Sequence, residues 1–238
     1  MRGFARYLAT IDPTSEIPPT DLLPAHQPRR APYIYTEAEI AALMAAARTL
    51  PRPLGAATYE TVIGLMATTG LRLREALALD SCDVDLAEGV LDIRATSNHH
   101  PRLVALHPAT TAALARYGRL RDQHRPEPTT PAFFLTSWGR RPVADVFRQT
   151  FRGLIHQVGL DGCGSRVWPR PHDLRHSFAV RTLIGWYRAG EDVDAKMPAL
   201  STYLGHVSPE STYWYLQAVP ELLELVSNRL EAMGEVLS

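Results

Sequence analysis

The chain has 238 residues, 45% of them hydrophobic and 21% charged, with a formal net charge of zero. That composition belongs to an ordinary globular protein with enough chain for one large core. No run of about 18 uncharged apolar residues exists to span a membrane as a helix, and Met1-Arg2-Gly3-Phe4-Ala5-Arg6-Tyr7 lacks the long apolar stretch of a signal peptide. Cys82 and Cys163 have no metal-ligand spacing and indicate no disulfide framework, so a reducing cytoplasm is the expected setting.

The zero net charge conceals an uneven distribution. From Arg94 to Arg188 there are 15 arginines against 5 acidic residues, whereas both flanking segments are net acidic. A basic middle between acidic ends fits a surface that grips a nucleic-acid backbone; a solvated basic face accounts for the charge equally well. Lys196 is the only lysine. The guanidinium fork matches phosphate oxygens, although such a bias also arises from genomic base composition.

In chain order, residues 1–10 read as the end of a helix with Phe4, Tyr7 and Leu8 on one face. Six prolines between Ile11 and Ile34 make the next stretch an extended linker. The expected division is therefore 1–34, a helical remnant plus a Pro-rich linker, and 35–238, the main domain. Thr36-Glu37-Ala38-Glu39 is a capping box that opens a helix to about Arg48. A second helix runs from about Ala56 to Thr69 and stops at Gly70, and a short one covers Glu75 to Leu79. Gly89–Ala95 and Leu103–His107 read as strands flanking a turn, with Phe133-Phe134-Leu135 as a candidate third strand. Helices follow at about Pro108–His124, Val143–Val158, Asp173–Tyr187, Lys196–Leu204, Pro209–Gln217 and Pro220–Met233. The fold class is α+β, mainly helical, with a small antiparallel sheet.

Three motifs carry chemistry. Thr69-Gly70-Leu71-Arg72-Leu73-Arg74-Glu75 places Arg72 just after a helix-ending glycine, where a side chain can turn into a cleft. In His172-Asp173-Leu174-Arg175-His176, His172 and Arg175 are one helical turn apart and share a face. Leu204-Gly205-His206 is followed nine residues after the histidine by Tyr215, in Ser211-Thr212-Tyr213-Trp214-Tyr215-Leu216. Two arginines can hold phosphate oxygens bidentately and stabilise a pentacoordinate transition state, the work a metal would otherwise do. No cofactor and no metal are expected. Tyr215 is the candidate nucleophile. A phenol with a pKa of about 10 is scarcely ionised at neutral pH and needs a base; His172 is the candidate. His206 is placed to donate to a non-bridging phosphate oxygen. Tyr203 and Tyr213 lack the nine-residue spacing and read as structural, and His176 as a packing residue.

On these motifs the chain resembles the tyrosine recombinase (phage integrase) family over about Tyr35 to Val236. Arg72 matches the family's first catalytic arginine and Glu75 its accompanying acid. His172 and Arg175 match the central histidine and second arginine, His206 the histidine-or-tryptophan position, and Tyr215 the nucleophile. The resemblance implies a helical catalytic domain with a three-stranded sheet acting on double-stranded DNA. It implies cleavage to a 3′-phosphotyrosyl link with release of a 5′-hydroxyl, then rejoining to a partner strand without a nucleotide cofactor. It also implies a homo-oligomer, a tetramer on DNA in synapsis, with a monomer compatible with its absence; no membrane is involved.

The chain departs from the family's pattern twice. The family's general-acid lysine lies in the turn between the first two sheet strands, which here reads Thr96-Ser97-Asn98-His99-His100-Pro101-Arg102 and has none. Ser97 falls at its place, and His99 or His100 is the candidate donor; the alternative is impaired chemistry. The N-terminal residues read as the last turns of a core-binding domain. The last helix, with Leu222, Leu223, Val226, Leu230 and Met233 on one side, either docks on a neighbouring protomer or packs on its own domain. Rival readings are a truncated relative that occupies recombination sites without exchange, a helix-turn-helix regulator built on Ser201–Leu216, and a type IB topoisomerase-like enzyme. The regulator leaves Arg72 and the His172/Arg175 pair without a role.

Overall fold

The computed structural model describes residues 2–18, 32–95, 101–161, 168–205 and 222. They fall in two compact units, Met1–Ala31 and Pro32–Ser238. In the first, α1 (Arg2–Ile11) leaves Phe4, Tyr7 and Ile11 exposed.

The second unit begins with α2 (Glu37–Arg48), whose capping box is closed on both sides: Thr36 Oγ1 accepts from the Glu39 N–H at 3.2 Å, and Glu39 Oε2 accepts from the Thr36 N–H at 2.7 Å. Next comes α3 (Pro53–Thr69), apolar around most of its circumference and the central beam of the unit. It starts three residues before the position read from the sequence, because Pro53 takes a first-turn position where no N–H is needed. Gly70, left-handed at φ 64°, ends it, and α4 (Leu73–Ala78) follows at once. The helix α2 packs along α3, as do α5 (Pro108–His124) and α7 (Pro171–Arg188). The remaining helices are α6 (Ala144–Gln157) and α8 (Val193–Leu204). Asp192 caps α8 through the Ala195 N–H, so α8 opens a turn earlier than expected.

The sheet is three-stranded and antiparallel, in the order β1 (Val84–Asp85), β2 (Val90–Ile93), β3 (Arg102–Ala105). Leu91 pairs with Val104 and Ile93 with Arg102, so these four residues face inward while Asp92 and Leu103 face out. The third strand is therefore Val84–Asp85, and Phe133–Leu135 is not a strand. Phe133, Phe134 and Leu135 are all buried, with none of the alternation of a half-exposed strand. Their backbone is satisfied mostly by side chains: the Leu135 N–H donates to Tyr117 Oη at 2.9 Å, Thr58 Oγ1 donates to the Leu135 carbonyl at 2.6 Å, and Arg121 donates to the Phe133 carbonyl at 3.2 Å. Among the described residues its backbone pairing is the single bridge Asp80 to Ala132, in which the Phe133 N–H donates to the Leu79 carbonyl at 2.9 Å.

One apolar cluster fills the space between α2, α3, α5, α6 and the sheet; a second joins α7 to α8 through Val180, Leu183, Val193, Met197, Leu200 and Leu204. Buried Leu222 belongs to the second cluster. The rest of the two helices expected after residue 208 lies outside the described residues.

Tyr117→Phe removes the acceptor for the buried Leu135 N–H. We expect a loss of about 1–3 kcal/mol, read as a lower midpoint in urea denaturation; a wild-type midpoint would show that the segment does not depend on that hydroxyl.

Candidate active site

The joint between α3 and α4 sets the position of Arg72. Gly70 is required there twice over. Its φ of 64° is left-handed, and a Cβ would lie 2.6 Å from Phe178 Cδ1 and 2.8 Å from Leu204 Cδ2. Arg72 is the residue just before α4, and Glu75, one turn on, accepts its backbone N–H at 2.9 Å and its Nη1 at 2.8 Å. Glu75 is buried. Burial pushes its carboxyl upward, but hydrogen bonds from Arg102 and from the Arg72 N–H, with the two positive charges, outweigh it and bring the pKa to about 2.

The start of α7 delivers His172 and Arg175. Pro171 opens the helix, and Asp173 accepts the Arg170 N–H at 2.7 Å. From below, Tyr35 Oη donates to the Arg170 carbonyl at 3.2 Å, and the Tyr35 N–H donates to Ser177 Oγ at 2.7 Å. Arg175 is 1% exposed; its Nη1 donates to the Gly70 carbonyl at 2.8 Å and its Nη2 to the Leu204 carbonyl at 2.7 Å. The pKa of His172 is pushed down to about 4, by desolvation first and then by Arg175, Arg72 and Arg170. Its side chain nevertheless reaches solvent, so loss of hydration is incomplete; the neighbouring guanidinium charges are the firmer cause. The ring is therefore neutral at pH 7 and able to take a proton. His176 meets it edge to face at 4.7 Å.

The end of α8 closes the arrangement. Gly205 terminates the helix in the left-handed region at φ 68°. Three successive carbonyls there each accept from arginine: Tyr203 from Arg102 Nε at 2.9 Å, Leu204 from Arg175 at 2.7 Å and Arg72 Nη1 at 3.5 Å, and Gly205 from Arg72 Nη2 at 2.9 Å. Arg72 and Arg175, more than 100 residues apart, thus converge on one oxygen atom.

Of the residues singled out in the sequence, Arg72, Glu75, His172 and Arg175 come together here. His206 and Tyr215, with Ser97, His99 and His100 of the turn, lie outside the described residues. Tyr203 stacks on Phe178 and donates to the Ala105 carbonyl at 3.2 Å; burial pushes its phenol up to about 12, making it a poor source of phenolate. Arg102 is the residue the sequence reading missed. Its fork grips Glu75, Nη1 to Oε1 at 3.0 Å and Nη2 to Oε2 at 2.9 Å. The signal was an inverted strand: Leu103 is 69% exposed while Arg102 shares the inward face with Val104.

Beside His172 opens a cavity of about 780 Å³ lined by Arg72, Arg74, Arg148, Arg152, Arg170, Trp168 and a few apolar residues, with no acidic residue among the described residues of its wall. Such a recess attracts polyanions.

Residues 34–221 match the Phage integrase family. The chain is 42% identical to putative integrase/recombinase y4rB of Sinorhizobium fredii, over 99% of this chain and 77% of that one. It is 30% identical to tyrosine recombinase XerD of Xanthomonas campestris, over 98% of this chain and 70% of the relative. Among solved structures, XerA recombinase superposes with a TM-score of 0.66 at 25% identity, covering 89% of this chain and 68% of that one. The Tn1549 transposon integrase bound to transposon right end DNA gives a TM-score of 0.66 at 18% identity over 95% and 75%, a likeness of fold. With its arginines gathered on one helix end and this match across most of its length, the chain belongs to the phage integrase family.

Proposed function

We propose that this chain is a site-specific DNA recombinase that cuts and rejoins strands through Tyr215. One observation carries the reading: Arg72 and Arg175, from distant stretches of chain, point their guanidinium groups at one oxygen, with a neutral histidine beside them. Two such cations stabilise the extra charge of a pentacoordinate phosphorus. In the reaction, the Tyr215 oxygen attacks the scissile phosphorus and its proton passes to His172. The bond to the 5′-oxygen breaks, and that oxygen leaves as a hydroxyl after accepting a proton from His99 or His100. His206 donates to a non-bridging oxygen. A partner strand's 5′-hydroxyl then reverses the step, expelling the tyrosine.

Double-stranded DNA is the proposed partner, as it is for the XerH and Tn1549 proteins whose solved structures are complexes with DNA. A homo-oligomer assembled on it would exchange strands. One observation favours a relative that binds sites without completing exchange: the Thr96–Arg102 turn holds no lysine.

Trapping on a duplex nicked near the cleavage position separates the two readings. Wild-type protein forms a covalent adduct and Tyr215→Phe forms none; an adduct retained in Tyr215→Phe removes the nucleophile, and none in either removes the enzyme. Arg175→Ala is expected to slow adduct formation by roughly 100- to 1000-fold.

His172 should titrate near 4 by NMR, well below its ordinary 6.5, and Arg72→Gln should raise that midpoint by removing a neighbouring cation. Because the fold favours the neutral ring, the histidine's contribution to stability is complete above pH 6.5 and is lost as pH falls toward 4. A midpoint at the ordinary value would refute the electrostatic account. Replacing Arg148 and Arg152 together by alanine should weaken DNA binding across sequences and lower the slope of log affinity against log salt by about 2; an unchanged slope would place the backbone elsewhere.

A further inference from the structure

We propose that Arg102 is a positioning residue for strand cleavage, holding Glu75 and the end of α8 so that Arg72 is fixed toward the phosphate; this rests on the recombinase reading above. Each Glu75 oxygen is shared. Oε1 accepts from Arg72 Nη1 at 2.8 Å and Arg102 Nη1 at 3.0 Å; Oε2 accepts from the Arg72 backbone N–H at 2.9 Å and Arg102 Nη2 at 2.9 Å. Arg102 therefore closes the side of the carboxylate that Arg72 leaves open. A second link joins the same two arginines through the helix end, where Arg102 Nε takes the Tyr203 carbonyl and Arg72 Nη2 the Gly205 carbonyl, both at 2.9 Å. The result is a closed ring of Arg72, Glu75, Arg102 and residues 203–205.

Such a ring over-determines a long, otherwise flexible side chain. Arg72 is itself 21% exposed and could adopt other rotamers were Glu75 its only anchor. The strand β3 supplies the fixed end, since Arg102 pairs with Ile93 across the sheet. The approach is close by construction: a Cβ on Gly205 would lie 2.7 Å from Arg102 Nη1. Arg102 is 7% exposed and all three of its guanidinium nitrogens are engaged, so it positions and does not touch substrate.

The test is Arg102→Lys, which keeps the charge and loses the fork, assayed by adduct formation on the nicked duplex and by DNA binding to the same duplex. A misplaced Arg72 should slow single-turnover cleavage by about 100-fold, with DNA affinity unchanged. The Glu75 carboxyl itself should titrate at higher pH by NMR, because it loses donors that favour its charged form. The groups facing Glu75 are Arg72 from the α3–α4 joint and Arg102 from β3, with His172 of α7 the neighbouring titratable group. Glu75→Gln combined with Arg102→Lys should be no slower than the slower single variant. Glu75→Gln alone must show the same split between rate and affinity, and it supplies the test if Arg102→Lys does not fold. Cleavage by Arg102→Lys at the wild-type rate, or affinity lost in proportion to rate, overturns the proposal. A wild-type chain that forms no adduct defeats the recombinase reading instead. The clamp is then judged by carboxyl NMR of Glu75, and a midpoint unmoved by Arg102→Lys overturns it.

Discussion

The last carbonyls of a helix have no partner within it and carry the negative end of its dipole. In this protein the end of α8 turns that deficiency into an organising centre, since three arginines, from the α3–α4 joint, β3 and α7, fill the Tyr203, Leu204 and Gly205 carbonyls. Sequence distance is irrelevant to a helix end. Residues 72, 102 and 175 meet because each needs an acceptor and this is where acceptors are concentrated. Packing fixes the helix end in turn: Leu204 is fully buried against α7, and Gly205 folds its N–H back to the Ser201 and Thr202 carbonyls.

Among the described residues, Arg72 and Arg102 share one carboxylate, Glu75, and the carbonyls of the helix end contribute only partial charge. Removing a guanidinium from water as thoroughly as Arg175 has been removed is costly unless its donors are filled. The Gly70 and Leu204 carbonyls accept its hydrogen bonds without neutralising its charge. His172 responds to the same guanidinium groups. In a field already positive the ring resists protonation, so the cations that would hold a phosphate also keep the base in its working form. In the proposed reaction, binding and proton transfer are thus coupled through the same charges.

Much of this was legible in the chain. Gly70 and the residues after it announced a helix stop followed by a side chain turned inward, and the capping box at Thr36 marked the start of α2. The i, i+3 spacing put His172 and Arg175 on one face. What escaped depended on contacts that periodicity does not record. Phe133–Leu135 looked like a strand because three apolar residues in a row suit a buried one, but side chains of Tyr117, Thr58 and Arg121 supply most of its hydrogen bonds, with one more from the Phe133 N–H to the Leu79 carbonyl. Val84–Asp85 is too short to show alternation at all. Arg102 went unassigned because it was read as the end of the turn before a strand beginning at Leu103; its role follows from Glu75, 27 residues away.

The arginine bias can now be weighed against base composition. Base composition predicts arginine wherever a cation suffices, whereas a geometric need predicts sites where several nitrogens of one fork are used at once. Arg102 spends Nε, Nη1 and Nη2 on three acceptors. Arg94 spends its three on Asp83, Asp80 and Cys82. Arg141 joins the Leu77 and Leu79 carbonyls to Asp80, and Arg175 bridges Gly70 to Leu204. An ammonium group offers three donors from a single atom and cannot reach acceptors spread along a planar fork. At these four positions lysine would leave a buried carbonyl or carboxylate oxygen without its donor. The bias there is imposed by the fold, and it is strongest at the ring around Glu75, where the substrate's phosphate is proposed to bind.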